Sequence, residues 1–426
     1  MKYDLIIYGG GTSGISAAYI AAKKGVNTLL VERSDSLGGS ITLGLVVPSM
    51  KVDTQNINTE FIADLKYFAD KYGARHTYID KNEFWFNPEL LKIALDDMLS
   101  SVNCTVLFSS SPIDIIYNNN TRIFENFISH KTLSIYIESD YIIDATADGK
   151  IFKLLNCEFQ KKSENFQTPS LRFIISGINV DVFADWLENY DKDRNVTTVE
   201  RTDKQIYLST ACTWDKRKWA LKPLFEKAVS ENVLEYEDTA YFQVFSMPSM
   251  PDALNFNAPR IILEDDEDLS DPFVYSRAIK QGRERIFRLY NFCKRYFPGF
   301  ESSYISNIAN MLGVRESNRV KCRYTVTADD IINHKHFDNI ALACNYPIDI
   351  HSNSNKKDKL QHINHTYYVP LDALISADYD NLYAIGRIIS ADFEAQAALR
   401  TQMSCFSMGE AAAKDIAKKL RQYNVP

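Results

Sequence analysis

The 426 residues contain no surplus of positive charge: 48 Lys and Arg stand against 55 Asp and Glu, a formal charge of −7. That balance speaks against a dedicated nucleic-acid binder, which carries a basic surplus. No apolar run reaches the roughly 18 residues that span a bilayer. The opening MKYDLIIYGGG is too short for a signal sequence and runs straight into glycines, so it reads as a buried strand and the protein as cytoplasmic. The seven cysteines (104, 157, 212, 293, 322, 344 and 405) form no CxxC pair. This excludes a zinc site, an iron–sulfur spacing and a disulfide relay, and fits reduced thiols. There is no internal repeat and no low-complexity tract.

Local patterning is clearest at the start. Tyr3 to Tyr8 is a short apolar strand, Ser13 to Lys24 has a helical period, and Asn27 to Val31 is a second apolar strand. Strand, glycine turn, helix and strand make a βαβ unit. Helices are predicted over Glu60–Lys71 and Pro88–Ser101. Five short strands then follow Cys104: TVLF, PIDIIY, TRIFENFI, TLSIYI and YIIDAT, with a turn at Asn118-Asn119-Asn120. Residues 157–300 mix strands (SLRFIISGI, YFQVF) with helices (Lys216–Glu231, Pro272–Tyr296). The acidic EDDEDLSD at 264–271 reads as a solvated loop. After 310 the βα character returns, with NIALAC and NLYAIG as buried strands and Ser404–Tyr423 as a closing helix.

The predicted fold is α/β: a Rossmann-type nucleotide domain made of 1–156 and 311–426, with an α+β substrate or cap domain, 157–310, inserted. Within it, Gly9, Gly11 and Gly14 spell G-x-G-x-x-G between the first strand and helix. Gly9 permits a tight turn, Gly11 lets a pyrophosphate approach the backbone, and Gly14 lets the helix pack close. The helix N-terminus supplies N–H groups for phosphate. Glu32 ends the second strand, where an acid accepts ribose hydroxyls. Gly38-Gly39, just beyond, suit the longer dinucleotide FAD; a plain NAD domain does not need them. No second G-x-G-x-x-G marks a separate NAD(P)H domain.

The segment GGGTSGISAAYIAAKKGVNTLLVERSDSLGGSITLGL resembles the bacterial FAD-dependent oxidoreductases related to glutathione-reductase-type flavoproteins. Four further stretches resemble the same group in order: YIIDATADGKIFKLLNCEF, LGVRESNRVKCRYTVTADDI, NYPIDIH and NLYAIGRIISADFEAQAALRTQMSCFSMGEAAA. The resemblance implies a glutathione-reductase-like fold. It also implies FAD contacts at Gly9, Gly11, Gly14, Glu32, Arg33, Gly39 and Ser40. Ala145 and Thr146 should lie near the nucleotide, Gly386 and Arg387 near the ribityl chain, and Ser404 and Cys405 near the flavin ring. Three positions depart from the family: Ala147 stands for Gly, Phe393 for a common His, and Ile388 for a common Cys.

Flavin chemistry needs polar groups that orient a substrate. Arg315 and Arg319, four apart, share a face if helical; they either clamp a substrate anion or form a buried ion-pair cluster with Glu316. Asp349 and His351 alternate onto one face, with His351 as general acid or base or else a surface residue of a turn. Arg400, after Glu394 and Gln396, either binds an anion or pairs internally. Cys405 is a reactive thiol at a helix N-terminus or a small space-filler. Trp214 and Trp219 with Lys216, Arg217 and Lys218 form a lid, a nucleic-acid face or an ordinary amphipathic helix. The expected activity is hydride transfer between a small-molecule substrate and FAD, with NAD(P)H or another electron carrier as a possible partner. Two alternatives stay open: a flavin monooxygenase that holds NAD(P)H transiently, and an RNA-associated flavoprotein. No metal and no membrane partner is expected.

Overall fold

The computed structural model describes residues 1–161, 166–211, 219–264, 267–352 and 358–423. Lys2–Tyr8 is the centre of a seven-stranded sheet. It pairs in parallel with Thr28–Val31 on one side and with the second half of Leu133–Asp144 on the other. Thr105–Leu107 extends the parallel part beyond Thr28–Val31, and Leu382–Ala384 extends it beside Ile142–Asp144. The first half of Leu133–Asp144 instead pairs antiparallel with Ile123–His130, which pairs with Ser110–Asn118.

The two strands expected at TLSIYI and YIIDAT are therefore one strand of 12 residues. Its polar middle is no turn. The strand passes from a half-exposed antiparallel edge into a fully buried parallel core, and its side chains follow. NLYAIG and NIALAC both hold buried strands, as expected. Leu382–Ala384 joins the main sheet, whereas Ile340–Cys344 pairs antiparallel with Tyr367–Pro370 in a separate two-stranded sheet.

The second large sheet is antiparallel throughout and comes from residues 173–308. Its order is Thr197–Arg201, Ile206–Ala211, Gln243–Met247, Met250–Phe256, Phe173–Ser176 and Tyr304–Ile308. Helices Val180–Tyr190, Lys222–Ser230 and Pro272–Tyr296 accompany it. Pro272–Tyr296 starts where Asp271 caps Phe273 N at 2.7 Å and Pro272 sits at the first position, which needs no N–H bond. That cap is the last residue of the acidic run; residues 265 and 266 lie outside the described part. Phe183, Phe225, Phe242, Phe256, Phe292 and Phe297 form an aromatic core here. Trp219 packs into it, 5.0 Å from Phe225, so it presents no lid or nucleic-acid face. Trp214, Lys216, Arg217 and Lys218 lie outside the described residues. One buried apolar cluster runs through both sheets. Among the described residues no helix is long and apolar enough to cross a membrane.

The first helix, Thr12–Lys23, and the last, Gln402–Tyr423, lie against each other. Gly409 meets Ser13, Ser16 Oγ donates to Phe406 O at 2.7 Å, and Arg421 reaches Lys24 O. From Ser13 and Ser16 against Phe406 and Gly409 at one end to Lys24 against Arg421 at the other, the two helices advance together, so they are parallel and their N-termini point the same way. A Cβ on Gly409 would sit 2.2 Å from Ser13 O, so only glycine permits this approach.

Candidate functional site

The main sheet ends its central strand at a loop that only glycines can form. Gly9 has φ of +105°, and a Cβ there would lie 2.3 Å from Ala145 O. A Cβ on Gly14 would lie 1.8 Å from Gly9 O. A Cβ on Gly11 would meet nothing within 4 Å, so open space adjoins the loop at that point. Gly11 is also the N-cap of the first helix and has no side chain to cap it. The first-turn N–H groups thus border open space, which fits a pyrophosphate.

The surrounding loops close around this cradle. Glu32 is buried and accepts from Gly10 N at 2.6 Å and from Ser34 N at 2.8 Å. Gly38 N donates to Gly10 O at 2.8 Å, a Cβ on Gly39 would stand 2.9 Å from Gly11 Cα, and Ser40 Oγ lies 3.2 Å from Thr12 Oγ1. Arg33 is exposed at the rim. Ala145 N donates to Tyr8 O, and Thr146 donates through N and Oγ1 to Asp144. Asp144 also receives Ile151 N and Phe152 N, which starts the short helix Lys150–Leu154. Burial still pushes its carboxyl up despite these bonds.

Gly386 has φ of +80° and rests against Ser13 of the first helix. Arg387 bonds Ala147 O at 3.1 Å, Asp148 Oδ1 at 2.9 Å and Val314 O, tying three loops together. Ala147 itself has φ of +69°, the conformation that glycine adopts freely. Ser404 and Cys405 lie in the first turn of the last helix, both buried. Burial pushes the Cys405 thiol up to about 12, outweighing the lowering by Arg387 and Arg400. The helix end therefore makes no reactive thiolate there.

A second set of polar groups gathers beside this cradle. Residues 313–320 are extended and not helical, pinned by Gly313 N to Ser170 O at 2.7 Å and by Val320 N to Ile388 O at 3.0 Å. Arg315 and Arg319 consequently part. Arg319 is buried, pairs with Glu316 and donates to Lys161 O at 3.1 Å. Arg315 turns to Thr168 O instead. Thr168 N donates to His351 O at 2.8 Å, which brings Arg315 to the strand Ile348–Ile350.

Asp349 and His351 do share a face: His351 Nε2 is 3.3 Å from Asp349 Oδ2, and both are buried. Arg400 Nη2 donates to Asp349 O at 3.0 Å and lies 3.6 Å from its carboxylate. Tyr346 Oη donates to Asp349 Oδ2 at 3.2 Å. Burial alone would raise the Asp349 carboxyl. The His351 hydrogen bond and the charges of His351, Arg400 and Arg315 reverse this and hold it far below the usual carboxylate range. Gln396, fully buried, donates to both Arg315 O and Arg387 O, so it links this cluster to the nucleotide loops. Glu394 instead pairs with Lys359 at 2.6 Å, half-exposed.

Three residues of the cluster, Arg172, Tyr241 and Arg260, carry no sequence signal. Arg260 holds Asp358 through both carboxylate oxygens, at 3.0 and 2.8 Å, and covers the Tyr241 ring at 4.7 Å. Arg172 makes only long bonds, 3.3–3.4 Å, to Leu45 O, Val47 O and Asn255 Oδ1. Each is a lone residue in the stretch with the least patterning, and only the folded chain brings them to Asp349. Among the described residues no group of His, Cys, Asp and Glu is arranged to hold a metal.

Residues 4–423 match the model of the family described as FAD dependent oxidoreductase. The chain is 32% identical over 63 residues to digeranylgeranylglycerophospholipid reductase of Methanocaldococcus jannaschii, covering 15% of this chain and 16% of that one. It is 40% identical over 79 residues to thiamine thiazole synthase of Sulfolobus acidocaldarius, covering 16% and 30%. The chain thus spans under a third of these curated relatives' length. Among solved structures, p-nitrophenol 4-monooxygenase of Pseudomonas putida shares the fold with a TM-score of 0.50 at 8% identity, over 100% of this chain and 82% of that one.

Proposed function

The chain belongs to the FAD dependent oxidoreductase family, and on that premise we propose that it transfers hydride between a small-molecule substrate and FAD. The observation that carries this reading is the open space at Gly11, bordered by the uncapped first helix and backed by Glu32. When bound, FAD supplies the two-electron acceptor or donor.

The loops at Gly9–Gly14, Glu32–Arg33 and Gly39–Ser40 would hold the nucleotide, with Ala145 and Thr146 beside it. Gly386, Arg387, Ser404 and Cys405 would line the remainder, in a glutathione-reductase-type arrangement. The two parallel helix N-termini point one way and favour negative charge at that end. We assign residues 1–156 and 311–426 to this FAD-binding part and 157–310 to an inserted cap. Six free, buried cysteines among the described residues support a reducing, cytoplasmic setting.

Arg315 and Arg400 would face the substrate. Arg319 is spent on Glu316 and would act only in holding the loop. His351 has Arg260 on one nitrogen and Asp349 on the other, so its role is to position Asp349 and not to take a proton from substrate.

Anaerobic mixing of the purified protein with a metabolite panel, NADH and NADPH included, tests the reading. Bleaching of the flavin band by a small molecule supports it. A chain that neither carries nor takes up FAD sinks it. NADPH consumption that rises with a hydroxylatable compound would point to a monooxygenase instead.

A further inference from the structure

The charges around Tyr241 do not balance. Four guanidiniums meet there, from Arg172, Arg260, Arg315 and Arg400, against two carboxylates, Asp349 and Asp358, among the described residues. Arg260 is matched by Asp358 and Arg400 lies by Asp349. Among the described residues Arg172 and Arg315 have no carboxylate partner and bond neutral oxygens. His351 adds no negative charge. Enclosing two unmatched guanidiniums is costly unless an anion joins them.

The geometry shows that these groups share one place. Ser170 bridges both Arg260 and Gly313, so the backbones carrying Arg172, Arg260 and Arg315 run side by side. Arg260 lies over the Tyr241 ring and His351 meets that ring edge-on at 5.5 Å. Buried polar atoms in the same place have no hydrogen-bond partner: Arg260 Nε, Arg400 Nε and Asp349 Oδ1. Burial, together with the neighbouring arginines, lowers the Arg315 guanidinium to about 9; burial lowers Arg172 to about 10.

We propose that Arg172, Tyr241 and Arg315 form the anion subsite for the substrate, and that the substrate carries a carboxylate. This rests on the reading that a substrate is handled beside the FAD loops. A guanidinium presents two parallel N–H groups that match a carboxylate. Tyr241, kept protonated by burial, can donate its hydroxyl hydrogen to the same anion.

The test titrates the purified holoprotein with acetate, succinate, benzoate, succinamide and inorganic phosphate. Two signals are followed: the visible flavin band and the thermal unfolding midpoint. At least one carboxylate should bind saturably and raise the midpoint, while succinamide does neither. Arg172→Lys and Arg315→Lys keep the charge but lose the fork, and should weaken that carboxylate about tenfold or more with FAD content unchanged. Tyr241→Phe, the mildest change, should weaken it several-fold even if an arginine variant fails to fold. The proposal is overturned if no carboxylate binds, if succinamide or phosphate binds as well as the best carboxylate, or if Tyr241→Phe binds it like the parent. Absence of FAD would defeat the flavin reading alone, because the midpoint still reports on anion binding.

Discussion

Arg260 Nη2 stands 3.0 Å from His351 Nδ1. An arginine can only donate, so Nδ1 accepts and the ring proton sits on Nε2, facing Asp349. One contact therefore sets the tautomer of a buried imidazole and the orientation of the carboxylate beyond it. Protonating the ring would place a new charge against Arg260 and near Arg315 and Arg400. Burial first, then these charges, lower its pKa to about 4, against the pull of Asp349.

Acid should therefore weaken the fold in a definite window. Between pH 6.5 and about 4 the unfolded chain binds a proton at this histidine and the folded chain does not. Stability from this source is complete above 6.5 and declines as pH falls through the window, by at most about 3 kcal/mol. Asp349 acts with the same sign at lower pH, since its carboxyl is depressed. Urea unfolding at pH 7, 6, 5 and 4.5 should show the loss, and His351→Gln should flatten it. A variant profile as steep as the parent's would remove His351 from this account.

Two alanine substitutions in one loop should behave differently. In Gly11→Ala the new methyl meets no protein atom, so the unfolding midpoint of the FAD-free protein stays put while FAD content falls at least about tenfold. In Gly14→Ala the methyl collides with Gly9 O, so FAD and stability fall together. Flavin absorbance per chain and thermal melts separate the two. Retention of FAD by Gly11→Ala would show that the open space is not the pyrophosphate's.

Asp238 is wholly buried between Arg285 at 2.8 Å and Arg288 at 2.7 Å, and caps its own turn at Glu235 N. Asp238→Asn leaves Arg285 as an uncompensated buried charge. The expected cost is about 3–5 kcal/mol by urea unfolding. A loss under about 1 kcal/mol would mean that water reaches the pair.

Ala147→Gly should stabilise the protein by about 1 kcal/mol, because it relieves a left-handed alanine. Arg387 and Ser317 both bond Ala147 O, so the loop keeps its place after the change. A lower melting temperature for the variant would refute this.

The parts of the molecule legible in the sequence are those built from neighbours. Strand, glycine loop, helix and Glu32 lie within some 30 residues, and each local preference agrees with the next. Pro272–Tyr296 was legible because its cap and its apolar stripe are local too. Arg315 and Arg319 do not share the face that a helix would give them, for a non-local reason: Ser170 and Ile388 hold residues 313–320 extended, and Arg319 takes the alternative, a buried ion pair with Glu316. The strand Leu133–Asp144 was divided because its exposure changes midway, and only the sheet explains why. Arg172, Tyr241 and Arg260 gave no signal at all. Each is ordinary in its own stretch and becomes part of a site through contacts about a hundred residues away.

The parallel pairing of the first and last helices has a consequence for synthesis on the ribosome. Ser16 waits for Phe406, and Ser13 for Gly409, some 390 residues later. The strand Leu133–Asp144, too, lacks its Leu382–Ala384 neighbour until late. A nascent chain can make the opening βαβ unit early, but its helix keeps an unburied face for most of translation. Cofactor capture should therefore come only after the last helix emerges, and a chain stalled before residue 402 would leave the loop formed and the nucleotide unheld.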